Sequence, residues 1–190
     1  MSATPISVAD YVRAQADTLL DELQAFLRIP SVSTLPAHRP DIERALGFLA
    51  DSLRLIGFEH VERIVPAENP NGLPLLYADW LHAPGAPTVL FYGHYDVQPP
   101  DPLAEWKTPP FEPSVRDGNI YARGAADDKG QVYAQIKAMQ AWMQLQGRLP
   151  VNVRFLIEGE EEVGGESVEA FVRHQAARLA CDCVVVSDTA

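Results

Sequence analysis

Positive charge is scarce in this chain: 15 lysines and arginines stand against 26 aspartates and glutamates, a formal net charge of -11. That deficit excludes the basic surface with which nucleic-acid binders neutralise phosphates. Long apolar runs are missing as well, and none approaches the ~20 residues of a membrane-spanning helix. The opening MSATPISVADYVRAQ has neither the basic start nor the apolar stretch of a secretory signal, so a cytoplasmic location is expected. Cysteine is limited to Cys181 and Cys183 in CDCVVV. Two apart on a strand they share a face, which suits buried reduced thiols better than a disulfide, and no four-ligand cysteine and histidine cluster accompanies them. No GxxxxGKS/T loop, no GxGxxG after a strand and no GxSxG elbow occurs, which removes the nucleotide-phosphate and serine-nucleophile chemistries those motifs serve.

What is present is a globular composition, 47% hydrophobic over 190 residues, enough for one domain with a real core. Residues 8 to 28 carry a helical stripe (Leu19, Leu20, Leu23, Phe26, Leu27) that Pro30 ends, and a second stripe (Ile42, Ala45, Leu46, Leu49, Leu53) ends at Gly57. HVERIV and LLYADW have the composition of strands. Val89 to Tyr92, VNVRFLI and CDCVVVSD look like strands buried on both faces, alternating with helices that start near Lys129 and Glu166. That alternation predicts an α/β domain, a largely parallel sheet with helices on both faces.

Each of the three strongest strands runs into side chains that bind metals. His94 and Asp96 follow the first, the run IEGEEEVGG the second, and Asp188 the third; Asp127 and Asp128 sit just before a helix, where either could serve as its cap. Ligands of open α/β sheets bind at the carboxyl ends of the strands. Like charges gathered at such an edge repel unless cations neutralise them. Imidazole mixed with carboxylate suits Zn2+, with Co2+ or Mn2+ as alternatives, and a carboxylate has two oxygens with which to bridge a pair of ions. The other histidines, His38, His60, His82 and His174, have no acidic partner at ligand spacing in the sequence and are expected to be surface residues.

GHYDVQP, W…PF, DGNIYARGAADDKG, EGEEEVGGES and VVVSD, in this order, resemble the dinuclear zinc metallopeptidase family of carnosinases, aminoacylases, glutamate carboxypeptidases and succinyl-diaminopimelate desuccinylase. The likeness spans nearly the whole chain from Val8 onward, and GHYDVQP and W…PF resemble the dipeptidase and carnosinase branch more than the desuccinylase branch. It implies a zinc-peptidase catalytic domain holding two divalent cations. By position, His94, Asp127 and Asp188 would hold the first ion, Asp127 bridging, and Glu162 the second. Asp96 would orient the His94 imidazole, Glu161 would be the general base, and Asp128 would cap the helix. Spacing alone leaves the pair Glu160 and Glu161 as an alternative register.

The resemblance further implies cleavage of an amide in a small peptide, no nucleic-acid or membrane partner, and a full-length form able to pair as a homodimer. Family members are about twice as long. Residues 1–190 would be the N-terminal part of the catalytic domain, with the lid domain and a late histidine ligand of the second ion outside them. The isolated 190 residues are accordingly expected to be poorly soluble and nearly inactive. An N-acyl amino acid deacylase with the same metal core, a catalytically inactive binding module and a simple cation buffer are the competing readings.

Overall fold

The computed structural model describes residues 7–188. Two helices open the chain, α1 at Val8–Ala14 and α2 at Ala16–Leu27. The expected single stripe is broken at Gln15, which closes one helix and opens the other, and α1 buries no residue. Helix α3, Arg39–Ile56, has Pro40 in its first turn, where a missing N–H costs nothing, and ends at Gly57 with φ +99°. Phe58 N donates to Leu53 O and Gly57 N to Arg54 O, both at 3.0 Å, the closure that a left-handed residue permits.

Strands β1 (Glu59–Ile64), β2 (Leu75–Trp80) and β3 (Thr88–His94) follow. A proline-rich excursion then carries a small hairpin, β4 (Ser114–Arg116) with β5 (Asn119–Tyr121). Helix α4 (Lys129–Gln146), strand β6 (Asn152–Glu158), helix α5 (Glu166–His174) and strand β7 (Cys183–Val186) complete the described chain.

The main sheet has the order β1-β2-β6-β3-β7. β6 and β7 run parallel to β3, whereas β2 joins β6, and β1 joins β2, antiparallel. The α/β architecture is as expected, but the sheet is mixed, its parallel part being the three strands joined through α4 and α5. One face packs on α2, α3 and α4 through a core that includes Phe26, Leu49, Leu53, Ile136, Val153, Phe155 and Ile157. The other face gathers Leu75, Tyr77, Leu90 and Leu156 with Phe171 of α5 and Leu179. Helices therefore cover both faces, although unevenly. β7 lies at the edge with Val184 and Val186 more than half exposed, which differs from the expected burial on both faces because α5 reaches only the β2-β6-β3 side.

The cysteines differ from expectation for the same reason. Both are free, but Cys183 is exposed on β7, and Cys181 precedes the strand, half-buried. No helix among the described residues is long and apolar enough to cross a membrane.

Candidate metal centre

Because β3, β6 and β7 are parallel, their carboxyl ends share one edge, and that edge collects the acids. His94, the last residue of β3, pairs in register with Glu158, the last of β6, and Val186 of β7 pairs with Tyr92, so Asp188 follows on the same side. Asp127 and Asp128 arrive from the loop before α4. Gly93 makes this approach possible: a Cβ there would run into Asp128 Oδ2 and Val132 Cγ2. Asp128 begins α4 but makes no capping hydrogen bond; its Oδ2 instead accepts from the backbone N–H of His94 at 3.0 Å. The expected cap is thus a strut between α4 and β3, since the orphan donor nearest this buried carboxylate belongs to the strand end. The Asp127–Asp128 peptide bond is cis.

The His94 side chain is fully buried, and its Nε2 lies 2.9 Å from Asp127 Oδ1, 3.8 Å from Asp188 Oδ2 and 4.0 Å from Glu161 Oε2. None of these contacts is a hydrogen bond; Nε2 is a buried polar atom without a partner. On its other side Nδ1 lies 3.1 Å from the backbone carbonyl of Asp96 and 3.4 Å from Asp96 Oδ1. An Nδ1–H donated there leaves the Nε2 lone pair bare toward the carboxylates. Ligand atoms of His94, Asp127 and Asp188 all lie within 4.8 Å of one another, as do those of His94, Glu161 and Glu162. Bonds of ~2.0–2.2 Å at tetrahedral angles space neighbouring donors about 3.4 Å apart, and the observed 2.9 and 3.8 Å bracket that spacing. The residues present fit a divalent cation.

Without a cation the electrostatics are in conflict. Burial alone would lower the His94 pKa, yet the neighbouring carboxylates of Asp96, Asp128 and Asp127 outweigh it and push it up to about 10. Burial raises Asp128 to about 7, against the stabilising hydrogen bond from His94 N–H, and raises Glu158 to about 7, against a hydrogen bond from Tyr92. Glu162 is also shifted up by burial. A site that favours protonated acids beside a protonated imidazole has the charge distribution a divalent cation would relieve.

The acidic run divides among several positions. Glu158 is buried, accepts from the Tyr92 hydroxyl and keeps Oε2 unpartnered. Glu160 is buried and turned away from His94. Glu161 and Glu162 stand in a 3-10 turn, Glu161–Val163, and face the cluster. Glu162 accepts from Gln98 Nε2 at 2.7 Å, and its backbone N–H donates to Asp96 Oδ2 at 3.2 Å, so Asp96 touches both halves of the cluster. Sequence reasoning assigned no task to Tyr92 or Gln98. Tyr92 was accessible through the period of two along β3, which sets it on the same face as His94; Gln98 had no such signal.

The remaining histidines lie at the surface as expected, His60, His82 and His174 exposed and His38 half-buried, but they are not without acidic partners. Each has a carboxylate at ion-pair distance: His38 with Asp41 at 2.6 Å, His60 with Asp79 at 2.8 Å, His82 with Glu59 at 3.1 Å and His174 with Glu68 at 3.4 Å. All but the first pair join residues distant in sequence, so spacing could not reveal them. None of the four belongs to a three-ligand group among the described residues.

The sequence pattern of peptidase family M20/M25/M40 matches residues 90–189, just over half of the chain and all of the clustered ligands. This chain belongs to the M20 peptidase family. The human Beta-Ala-His dipeptidase is 35% identical to it over 95% of this chain and 38% of that protein. The Cys-Gly metallodipeptidase of Schizosaccharomyces pombe is 31% identical over 95% of this chain and 40% of that protein. Among solved structures, human carnosine dipeptidase 1 superimposes with a TM-score of 0.88 at 34% identity, covering 98% of this chain and 42% of that one. The M20 metallo-carboxypeptidase Sso-CP2 of Sulfolobus solfataricus gives 0.77 at 33% identity, over 90% and 37%. The chain therefore spans about 40% of the length of the M20 relatives it matches.

Proposed function

We propose that the full-length protein is a metal-dependent hydrolase of dipeptides or short peptides and that residues 1–190 supply most of its metal-binding and proton-transfer groups. The observation that carries this reading is the buried, unpartnered Nε2 of His94 facing carboxylates from three other chain segments. M20 relatives named dipeptidases support the substrate class.

His94, Asp127 and Asp188 would hold one divalent cation, and Asp127 with Glu162 a second, zinc first with cobalt or manganese as alternatives. Bound there, such ions polarise a scissile carbonyl and lower the pKa of a water toward ~7. Glu161, at the rim of the cluster with its carboxylate 4.0 Å from His94 Nε2, would serve as the general base toward a water bound there. The same carboxyl, now protonated, delivers its proton to the departing amine. Asp96 keeps the His94 lone pair aimed at the cluster and, through the Glu162 N–H, steadies the neighbouring turn. Gln98 holds the Glu162 carboxylate from outside.

The test is Glu161→Gln in the full-length protein, assayed on a panel of dipeptides and of acetyl amino acids. Turnover of dipeptides should fall by ~10²–10⁴-fold with metal content unchanged, as expected when a general acid–base is removed. Wild-type turnover confined to the acetyl amino acids would move the assignment to a deacylase, and a full-length protein that binds no zinc, cobalt or manganese would end the hydrolase reading.

A further inference from the structure

Glu160 belongs to the acidic run but does not face the cluster. It is 7% exposed, and its side chain reaches back into the fold: Oε1 accepts from the backbone N–H of Leu73 at 2.5 Å, and Oε2 from the backbone N–H of Ser167 at 3.0 Å. Asn69 Nδ2 donates to the same Oε2 at 3.4 Å and to Ser167 Oγ at 3.1 Å. The Glu160 backbone carbonyl accepts from Val163 N at 3.1 Å and from Gly165 N at 2.8 Å, closing the turn that presents Glu161 and Glu162. One residue thus joins the loop entering β2, the first turn of α5 and the turn facing the cluster. These donors are uncharged, and two are backbone amides, one in the loop before β2 and one in the first turn of α5. Hydrogen bonds to an ionised acceptor are about twice as strong as neutral ones.

We propose that Glu160 is a positioning residue that sets the placement of Glu161 and Glu162 by clamping their turn to the Asn69–Leu73 loop and to α5. This inference rests on the metallopeptidase reading above. Its chemistry is specific to a carboxylate: a glutamine keeps the shape but turns an NH2 toward one of two N–H donors, so one bond is lost and the turn is released on that side. A displacement of ~1 Å at a catalytic group costs on the order of 10²-fold in rate.

The experiment uses the full-length, zinc-loaded protein with Glu160→Gln and, as a gentler change from the loop side, Asn69→Ala. Activity is measured well below each variant's melting midpoint, and zinc affinity by chelator competition. For Glu160→Gln, kcat should fall about 10- to 100-fold with KM within about threefold, as for lost transition-state placement. Its weaker zinc site should lose affinity by roughly tenfold, as outer-shell changes do. Asn69→Ala should lower kcat by a few-fold. A folded Glu160→Gln protein with wild-type kcat and only a lower melting midpoint overturns the proposal; so does wild-type kcat in Asn69→Ala if Glu160→Gln does not fold. If Glu161→Gln shows that the protein is no hydrolase, zinc affinity decides: a loss in Glu160→Gln supports the positioning of Glu162, and an unchanged affinity overturns it.

Discussion

Metal binding to this cluster should release a proton, because the imidazole that faces the carboxylates is held protonated without a cation. Its pKa stands at about 10, burial pulling it down and Asp96, Asp128 and Asp127 pushing it further up. Metal ligands must be deprotonated to bind. At pH 8.5 the protonated form outweighs the neutral one by about 30 to 1, and affinity should rise by close to tenfold for each pH unit up to about 10, or ~1.4 kcal/mol per unit. Asp128 and Glu158, both at about 7, are already ionised at pH 8.5 and do not obscure the count. Titrating zinc calorimetrically in two buffers of different ionisation enthalpy should give at least one proton released per first ion bound. The sign for folding runs the other way. A histidine raised in the folded state stabilises the metal-free protein below its unfolded pKa of ~6.5, and that contribution is lost as pH climbs toward 10. His94 should therefore weaken the metal-free fold and strengthen cation binding over the same interval. Less than half a proton released at pH 8.5, with an affinity flat from pH 7.5 to 9.5, would refute the reasoning.

Asp127→Asn removes the carboxylate that both ions are proposed to share. At a cation concentration of 100 times Kd the wild-type protein gains ~2.7 kcal/mol, a rise of roughly 5–11 °C in melting midpoint, and the variant should show less than half of it. Phe155→Ala, in a fully buried residue whose ring centroid lies 5.3 Å from that of Phe91 and 5.4 Å from that of Phe58, should cost about 3–5 kcal/mol in urea unfolding and leave metal stoichiometry unchanged in the folded fraction.

His94, the glutamate pair and Asp188 were legible because each follows or ends a strand whose apolar run is unmistakable, and parallel strands bring their ends to one edge whatever the details of packing; Asp127, from the loop before α4, was legible only through the resemblance. HVERIV and LLYADW were equally readable as strands, but strand composition carries no direction, so their antiparallel pairing was not. Asp128 was read as a cap from its place before α4; a carboxylate buried against a strand end meets a stronger local demand, the N–H of His94. His60 illustrates the limit most plainly, since its partner Asp79 comes from β2, 19 residues away, and only the β1–β2 register brings the two together.

The division of labour in IEGEEEVGG follows from a change of backbone geometry within it. Up to Glu158 the chain is a strand, and alternation places that carboxylate on the face of His94 and Tyr92. Beyond it the chain enters a turn of about three residues per revolution, in which successive side chains diverge by roughly 120°. Glu160 stands just before that turn, with backbone angles of its own, and points away from the pair that follows it. Glu160 leaves toward Leu73 and Ser167, and Glu161 and Glu162 remain on the side of His94. The alternative register, Glu160 with Glu161, would require breaking both backbone hydrogen bonds of a buried carboxylate in order to turn it outward. Leaving those two N–H groups unpaired would cost on the order of 1–3 kcal/mol each. No comparable penalty attaches to Glu162, whose contact with Gln98 lies on the solvent side of the turn and leaves its carboxylate beside the cluster.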